Sequence, residues 1–218
     1  MCDGPCVHLY DSTIPSGNAY KVRLILAQLG LPYRTTELDV QATPPETQSP
    51  EFLAKNPHGQ IPVLELDDGR VLPESDAILF YLAEGTPLLS NDQWKRAQTL
   101  RWMFFEQYSH QPYVGALKLW TYRSDAERVR ADVIERLRVR GQIAIEHMEK
   151  HLTTSSFFVG EQYGIADIAL YAYTQSADQI GLRTGSAVKA WLHRVRNQPG
   201  YIPIKRDPLP RPRERRWA

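Results

Sequence analysis

Ser16, Gly17 and Asn18 stand where an apolar run, Val7-His8-Leu9-Tyr10, gives way to a helical pattern with Val22, Ile25, Leu26 and Leu29 on one face. The unpaired N–H groups of a first helical turn and the positive end of the helix dipole converge at such a joint. An anion is favoured there, a thiolate among them. Taken alone, Ser and Asn at a helix start are more often caps than ligand groups. A second joint of the same kind lies downstream, where Val71-Leu72 runs into Pro73-Glu74-Ser75-Asp76 and a helix bearing Ile78, Leu79 and Leu82. Glu74 and Ser75, too, are ordinary cap residues on local grounds. Between the joints, Asn56-Pro57-His58-Gly59-Gln60-Ile61-Pro62-Val63-Leu64 is a turn running into a strand. Pro62 stands at the strand's start, where its missing N–H is tolerated and a cis bond can occur.

Three such corners need a sheet to hold them. Tyr33 to Leu38, with aromatic and β-branched content, follows the first helix after Gly30-Leu31-Pro32 and suggests a βαβ unit. Gln41 to Ser49 is a polar loop, and Pro50 opens a short helical turn through Phe52 and Leu53. Asp67-Asp68-Gly69-Arg70 makes a tight hairpin. Residues 83–91 read as a linker, after which Ser90 and Gln93 have the spacing of a capping box. From there to about residue 196 the signals are helical, with one helix expected over Arg128 to Leu152 and a last one carrying Val188, Trp191, Leu192 and Val195. Gly141 would let helices approach closely.

Several classes are excluded on composition. Lys plus Arg number 26 against 25 Asp plus Glu, and a net charge of +1 supplies no field for nucleic acid or an anionic membrane. No apolar run approaches the ~20 residues of a membrane span. Cys2 and Cys6 are separated by three residues where the redox pair has two, and no charged-then-apolar leader opens the chain. The expectation is a reduced, cytoplasmic protein. His147 and His151 lie one turn apart, but Glu149 is one place off the zincin pattern, so no metal site is expected.

The hydroxyl residue Ser16 two places before Asn18 and five before Lys21-Val22, then Asn-Pro-x-Gly-x-Ile-Pro-Val-Leu, then Pro-Glu-Ser-Asp-Ala-Ile, resembles the N-terminal domain of cytosolic glutathione transferases. The motifs occur in order, and the resemblance runs on through the helical half. It implies an α/β thioredoxin-like domain over residues 1–82, the linker, and an all-α domain over 92–218 with a basic Pro- and Arg-rich tail.

By the same resemblance, Ser16 is the hydroxyl that bonds the glutathione sulfur, with Asn18 assisting. Ile61, before a cis Pro62, pairs its backbone with the cysteinyl part. Glu74 and Ser75 hold the γ-glutamyl end, and Gln60, with Gln48 as a weaker candidate, the glycyl end. Some classes use a tyrosine at the end of the first strand, as Tyr10 is, but the run from Ser16 to Arg23 looks like the serine classes. Tyr10, Tyr108, Tyr113 and Trp120, with Arg123 for an acidic substrate, are the pocket candidates for a hydrophobic electrophile. Family members usually carry Ser or Thr where this chain has Gly164, so Asp167 is expected to hold that helix start more nearly alone. What is implied is a homodimeric glutathione S-transferase that conjugates glutathione, as co-substrate, to a small electrophile. A glutathione-dependent disulfide reductase or lyase, and a non-catalytic glutathione-binding scaffold, are the alternatives.

Overall fold

A computed structural model describes residues 7–122 and 130–204. Cys2, Cys6, Arg123 and the basic tail fall outside the described residues, as do the first residues of the helix expected from Arg128. Chain contacts divide the molecule into two compact units. One runs through Asn91 and takes in a returning segment that begins at Arg196; the other is Asp92–Val195.

In the first unit, β1 (Val7–Ser12) lies at the middle of a four-stranded sheet of order β2-β1-β3-β4. It pairs in parallel with β2 (Tyr33–Leu38) through the crossover helix α1 (Gly17–Gln28), and antiparallel with β3 (Val63–Glu65). β3 in turn pairs antiparallel with β4 (Val71–Pro73). Because side chains alternate along a strand, Leu9 goes to one face, where it meets Val22, Leu26, Leu64 and Ile78 of the core beneath α1 and α3 (Ser75–Ala83). His8 and Tyr10 go to the other, stacked 4.5 Å apart, with Tyr10 edge-on to Phe52 of α2 (Pro50–Lys55).

The returning segment packs on α1 of this unit. Tyr20 Oη donates to the Ile202 carbonyl at 2.7 Å, and Gly200 sits so close to the end of α1 that a Cβ there would lie 2.8 Å from Gln28 Cα. The hydroxyl of an aromatic residue buried on α1 thereby has an acceptor.

The second unit is helical, as expected: α4 (Gln93–Phe105), α5 (Gln111–Tyr122), α6 (Ala131–Leu152), α7 (Ile165–Thr174) and α8 (Ser186–Arg196). α4 is capped by Asp92, whose side chain accepts from Lys95 N at 2.8 Å, and not by Ser90. α4 and α5 are joined by a π-turn, Glu106–His110, that periodicity alone did not reveal. Gly141 is buried, and an added Cβ would lie 3.2 Å from a Leu182 methyl. Glu149 is a cap across space: its two oxygens accept from Ala187 N at 2.9 Å and Val188 N at 2.8 Å at the start of α8. His147 and His151 both pack on Trp102, with centroids 5.6 and 4.7 Å away. No helix among the described residues is long and apolar enough to cross a membrane.

Candidate functional site

Strand register brings the three corners to one end of the sheet. Tyr10 lies opposite Val63, and Val63 opposite Pro73. The exit of β1 toward α1, the entry to β3 at Ile61-Pro62 and the exit of β4 toward α3 are therefore neighbours. A site at the carboxyl ends of strands, beside helix N-termini, is the general arrangement of α/β sheets.

The loop from β1 to α1 is held from below. Arg23 Nε lies 2.9 Å from Asp11 Oδ2 in a buried ion pair, and Asp11 Oδ1 takes the Ser12 N–H at 2.6 Å. Ser12 Oγ takes the Ile14 N–H at 3.2 Å, and Thr13 N donates to Leu38 O at 3.1 Å. Ser16 then caps α1, its Oγ accepting from Ala19 N at 3.3 Å. A hydroxyl has two lone pairs and one proton. The capping bond uses a lone pair, and no described residue accepts the proton. Asn18 Oδ1 is shielded from solvent and has no hydrogen-bond partner among the described residues. A buried amide oxygen left so costs about 1–3 kcal/mol, which a ligand donor would recover.

At the second corner the Ile61-Pro62 bond is cis, the isomer that the family resemblance implied. Among the described residues the backbone groups of Ile61 take no hydrogen bond, so an extended peptide can add there as a further strand. The turn before it is built by Asn56, which sequence reasoning passed over. Its Nδ2 donates to the Gln60 carbonyl at 2.7 Å and its Oδ1 accepts from His58 N at 3.2 Å. Gly59 has φ +60, and a Cβ there would fall 2.2 Å from Gln48 Nε2 and 3.0 Å from the Thr47 carbonyl. The structure thus brings Gln48 over the turn that carries Gln60. Gly59→Ala is expected to cost about 1–2 kcal/mol, from a left-handed backbone and a displaced Gln48. The shift of the urea midpoint measures it.

At the third corner Glu74 is exposed and has φ 72, the single non-glycine residue of positive φ among those described. Such a conformation costs of order 1–3 kcal/mol and collects at ligand clamps. Ser75, 3% exposed, begins α3. Beneath it Lys21, wholly buried, places Nζ 2.9 Å from Asp76 Oδ1 and 3.3 Å from Ser75 Oγ, tying α1 to α3.

Tyr10 is committed elsewhere. Its hydroxyl donates to Glu65 Oε2 at 2.8 Å, and Lys55 Nζ reaches the same oxygen at 2.9 Å from a position 5.3 Å over the Tyr10 ring. Burial, then the bond to Glu65, raises the phenol's pKa. This network lies on the α2 side of the sheet, opposite the face of Leu9.

In the second unit the π-turn opens a cleft of about 360 Å³, where Tyr108 and Tyr113 meet Phe105, Ser109, Arg140 and His147. Tyr108 is 81% exposed. Trp120, half-buried on α5, does not line this cleft. The described residues contain no group of three or more His, Cys, Asp or Glu placed to hold a metal ion.

Comparison with known proteins bears on the same segments. Residues 15–84 match the family model of the glutathione S-transferase N-terminal domain, and residues 131–211 that of the C-terminal domain. The chain is 34% identical to the disulfide-bond oxidoreductase YfcG of Escherichia coli over 194 residues, covering 85% of this chain and 88% of that one. It superposes on a glutathione S-transferase from Pseudomonas fluorescens with a TM-score of 0.86 and 43% identity, covering 90% and 98% of the two chains. The glutathione transferase URE2P6 from Phanerochaete chrysosporium, solved in complex with oxidized glutathione, gives 0.79 and 26%, covering 92% and 94%. With both domain models matched in order, the chain belongs to the glutathione S-transferase family.

Proposed function

We propose that the protein binds glutathione along the end of its sheet and conjugates it to an electrophilic small molecule. The observation that carries this reading is Ser16 at the α1 N-terminus, with a lone pair used for the cap and a proton left to donate. Glutathione supplies the chemistry: its thiolate sulfur forms a bond to an electrophilic carbon, from which a leaving group departs. The protein makes the thiolate available. Donation from Ser16 Oγ and the helix start favours the charged form of a thiol and lowers its pKa. The Ile61 backbone offers strand pairing to the cysteinyl part, and Glu74 with Ser75 at the α3 N-terminus takes the γ-glutamyl end. Gln60 and Gln48 serve the glycyl end, and Asn18 assists at the sulfur. Tyr108 and Tyr113, with Trp120 and Arg123, are the candidates for contact with the electrophile. A homodimer in the cytoplasm completes the reading, with sedimentation as the check on the dimer.

Titration calorimetry with glutathione tests the core of this proposal, and no uptake by folded protein would end it. Tyr10→Phe serves as the control for the thiol group. It is expected to leave conjugation of an aryl halide within about twofold, because the Tyr10 proton is already given to Glu65.

A second reading is disulfide reduction by the same thiolate, favoured by the 34% identity to YfcG and by Asn18 beside Ser16. Rates on an aryl halide and on a small glutathione-reactive disulfide separate the two.

A further inference from the structure

We propose that Lys21 is a positioning residue for the anion-binding end of α3: its ammonium neutralises Asp76 and obliges Ser75 to turn its hydroxyl proton toward the ligand. The inference rests on the reading that Ser75 receives the γ-glutamyl carboxylate.

Asp76 lies in the first turn of α3, where a carboxylate suits the helix dipole but competes with any anion brought to the same N–H groups. Its Oδ2 is buried and has no hydrogen-bond partner among the described residues, while Oδ1 is 2.9 Å from Lys21 Nζ. Its negative charge is therefore offset chiefly by Lys21. Left uncompensated, that charge would repel an incoming carboxylate from the end of the helix that attracts it.

Hydrogen-bond bookkeeping gives the second half. A protonated lysine only donates, so the contact of 3.3 Å between Lys21 Nζ and Ser75 Oγ makes Ser75 an acceptor. Its own proton must then point away from Lys21. Lys21 Nζ contacts both Ser75 Oγ and Asp76 Oδ1, so without the ammonium the carboxylate is left to compete for that proton and to withdraw the hydroxyl from the ligand. Lys21 stands five residues after Ser16 on the same helix, so one element carries the sulfur donor and, from below, sets the donor at the other end of the tripeptide.

The test must survive the cost of stranding a buried charge. Lys21→Gln, which keeps a donor amide but no charge, leaves Asp76 uncompensated, whereas Lys21→Met combined with Asp76→Leu removes both charges together. The fold of each is checked by circular dichroism, and glutathione Kd is read by calorimetry beside wild type. Lys21→Gln is expected to raise Kd about tenfold, with KM for glutathione moving far more than kcat; the paired variant, which has neither the repelling carboxylate nor the competing acceptor, should lie within about threefold of wild type. In wild type and in the pair, Ser75→Ala should cost about tenfold; in Lys21→Gln it should cost less than twofold, since the hydroxyl is withdrawn toward Asp76. Should Lys21→Gln not fold, the pair carries the test by itself. Wild-type affinity in folded Lys21→Gln, or a tenfold rise in Kd in the pair, overturns the assignment of Lys21 while leaving the glutathione site standing. Absence of binding by wild type overturns both.

Discussion

Ser16→Ala is expected to lower turnover ten- to a hundredfold near neutral pH, with the deficit shrinking as pH rises. A hydrogen bond to a charged group contributes about 1.5–3 kcal/mol, and each 1.36 kcal/mol is a factor of ten in rate or one pH unit in an ionisation. Loss of the donated proton therefore moves the thiol's apparent pKa up by about one to two pH units, and base added to the solution restores the thiolate that the enzyme no longer holds. The same substitution also removes a cap, because Ser16 Oγ accepts from Ala19 N, which typically costs ~1 kcal/mol of helix stability. Ser16→Gly separates the effects, since glycine at an N-cap costs only a few tenths of a kcal/mol yet lacks the hydroxyl. Both variants should show the displaced pH profile, and Ser16→Thr should lie nearer wild type. A deficit that does not change with pH would assign Ser16 to the cap alone. Unchanged turnover in Ser16→Ala, together with its loss in Tyr10→Phe, would transfer the thiol to Tyr10.

The corners of the site were legible because caps and turns are written locally. Ser16, Glu74 and Ser75 each sit within a few residues of the helix they begin, and the turn at Gly59 precedes a proline. The devices behind the corners were not legible, because they join distant residues. Lys21 and Asp76 are 55 positions apart, as are Tyr10 and Glu65, and no periodicity records a pairing made only by folding. Asn56 looked like one more turn residue, though its side chain carries the loop. In the helical half, Tyr108, Tyr113 and Trp120 are grouped as pocket candidates by the family resemblance, and nothing in their spacing marks a break between Tyr108 and Tyr113. The π-turn resets the phase at Glu106–His110, which puts Tyr108 and Tyr113 on one cleft and leaves Trp120 out of it. Ser90 has the spacing of a capping box with Gln93, yet the fold caps α4 with Asp92, two residues further on.

Asp167→Ala is expected to be among the most damaging single substitutions for stability, at about 3–5 kcal/mol. α7 begins at Gly164, which has no side-chain oxygen, so only one half of the usual reciprocal cap can form. Asp167 supplies that half, Oδ2 accepting from Gly164 N at 3.0 Å, and it does more. Oδ1 accepts from Phe158 N at 3.2 Å and from Trp191 Nε1 at 2.8 Å, so one wholly buried carboxyl ties a loop, α7 and α8 together. Its removal strands three donors at about 1–3 kcal/mol each, partly relieved by repacking. Burial pushes the Asp167 carboxyl up to about 7 against the pull of these donors. In the unfolded chain it titrates near 4. Between those values the unfolded chain gives up its proton and the native one keeps it, so the stability contributed is greatest below pH ~4, declines as pH rises toward about 7, and then levels. Urea unfolding of wild type and Asp167→Ala at pH 5 and pH 8 should show a large deficit at both, wider at pH 5. An equal deficit at the two pH values would mean that the three donors hold the carboxylate charged throughout, and a deficit below about 1 kcal/mol would mean that α7 is held by its apolar packing alone.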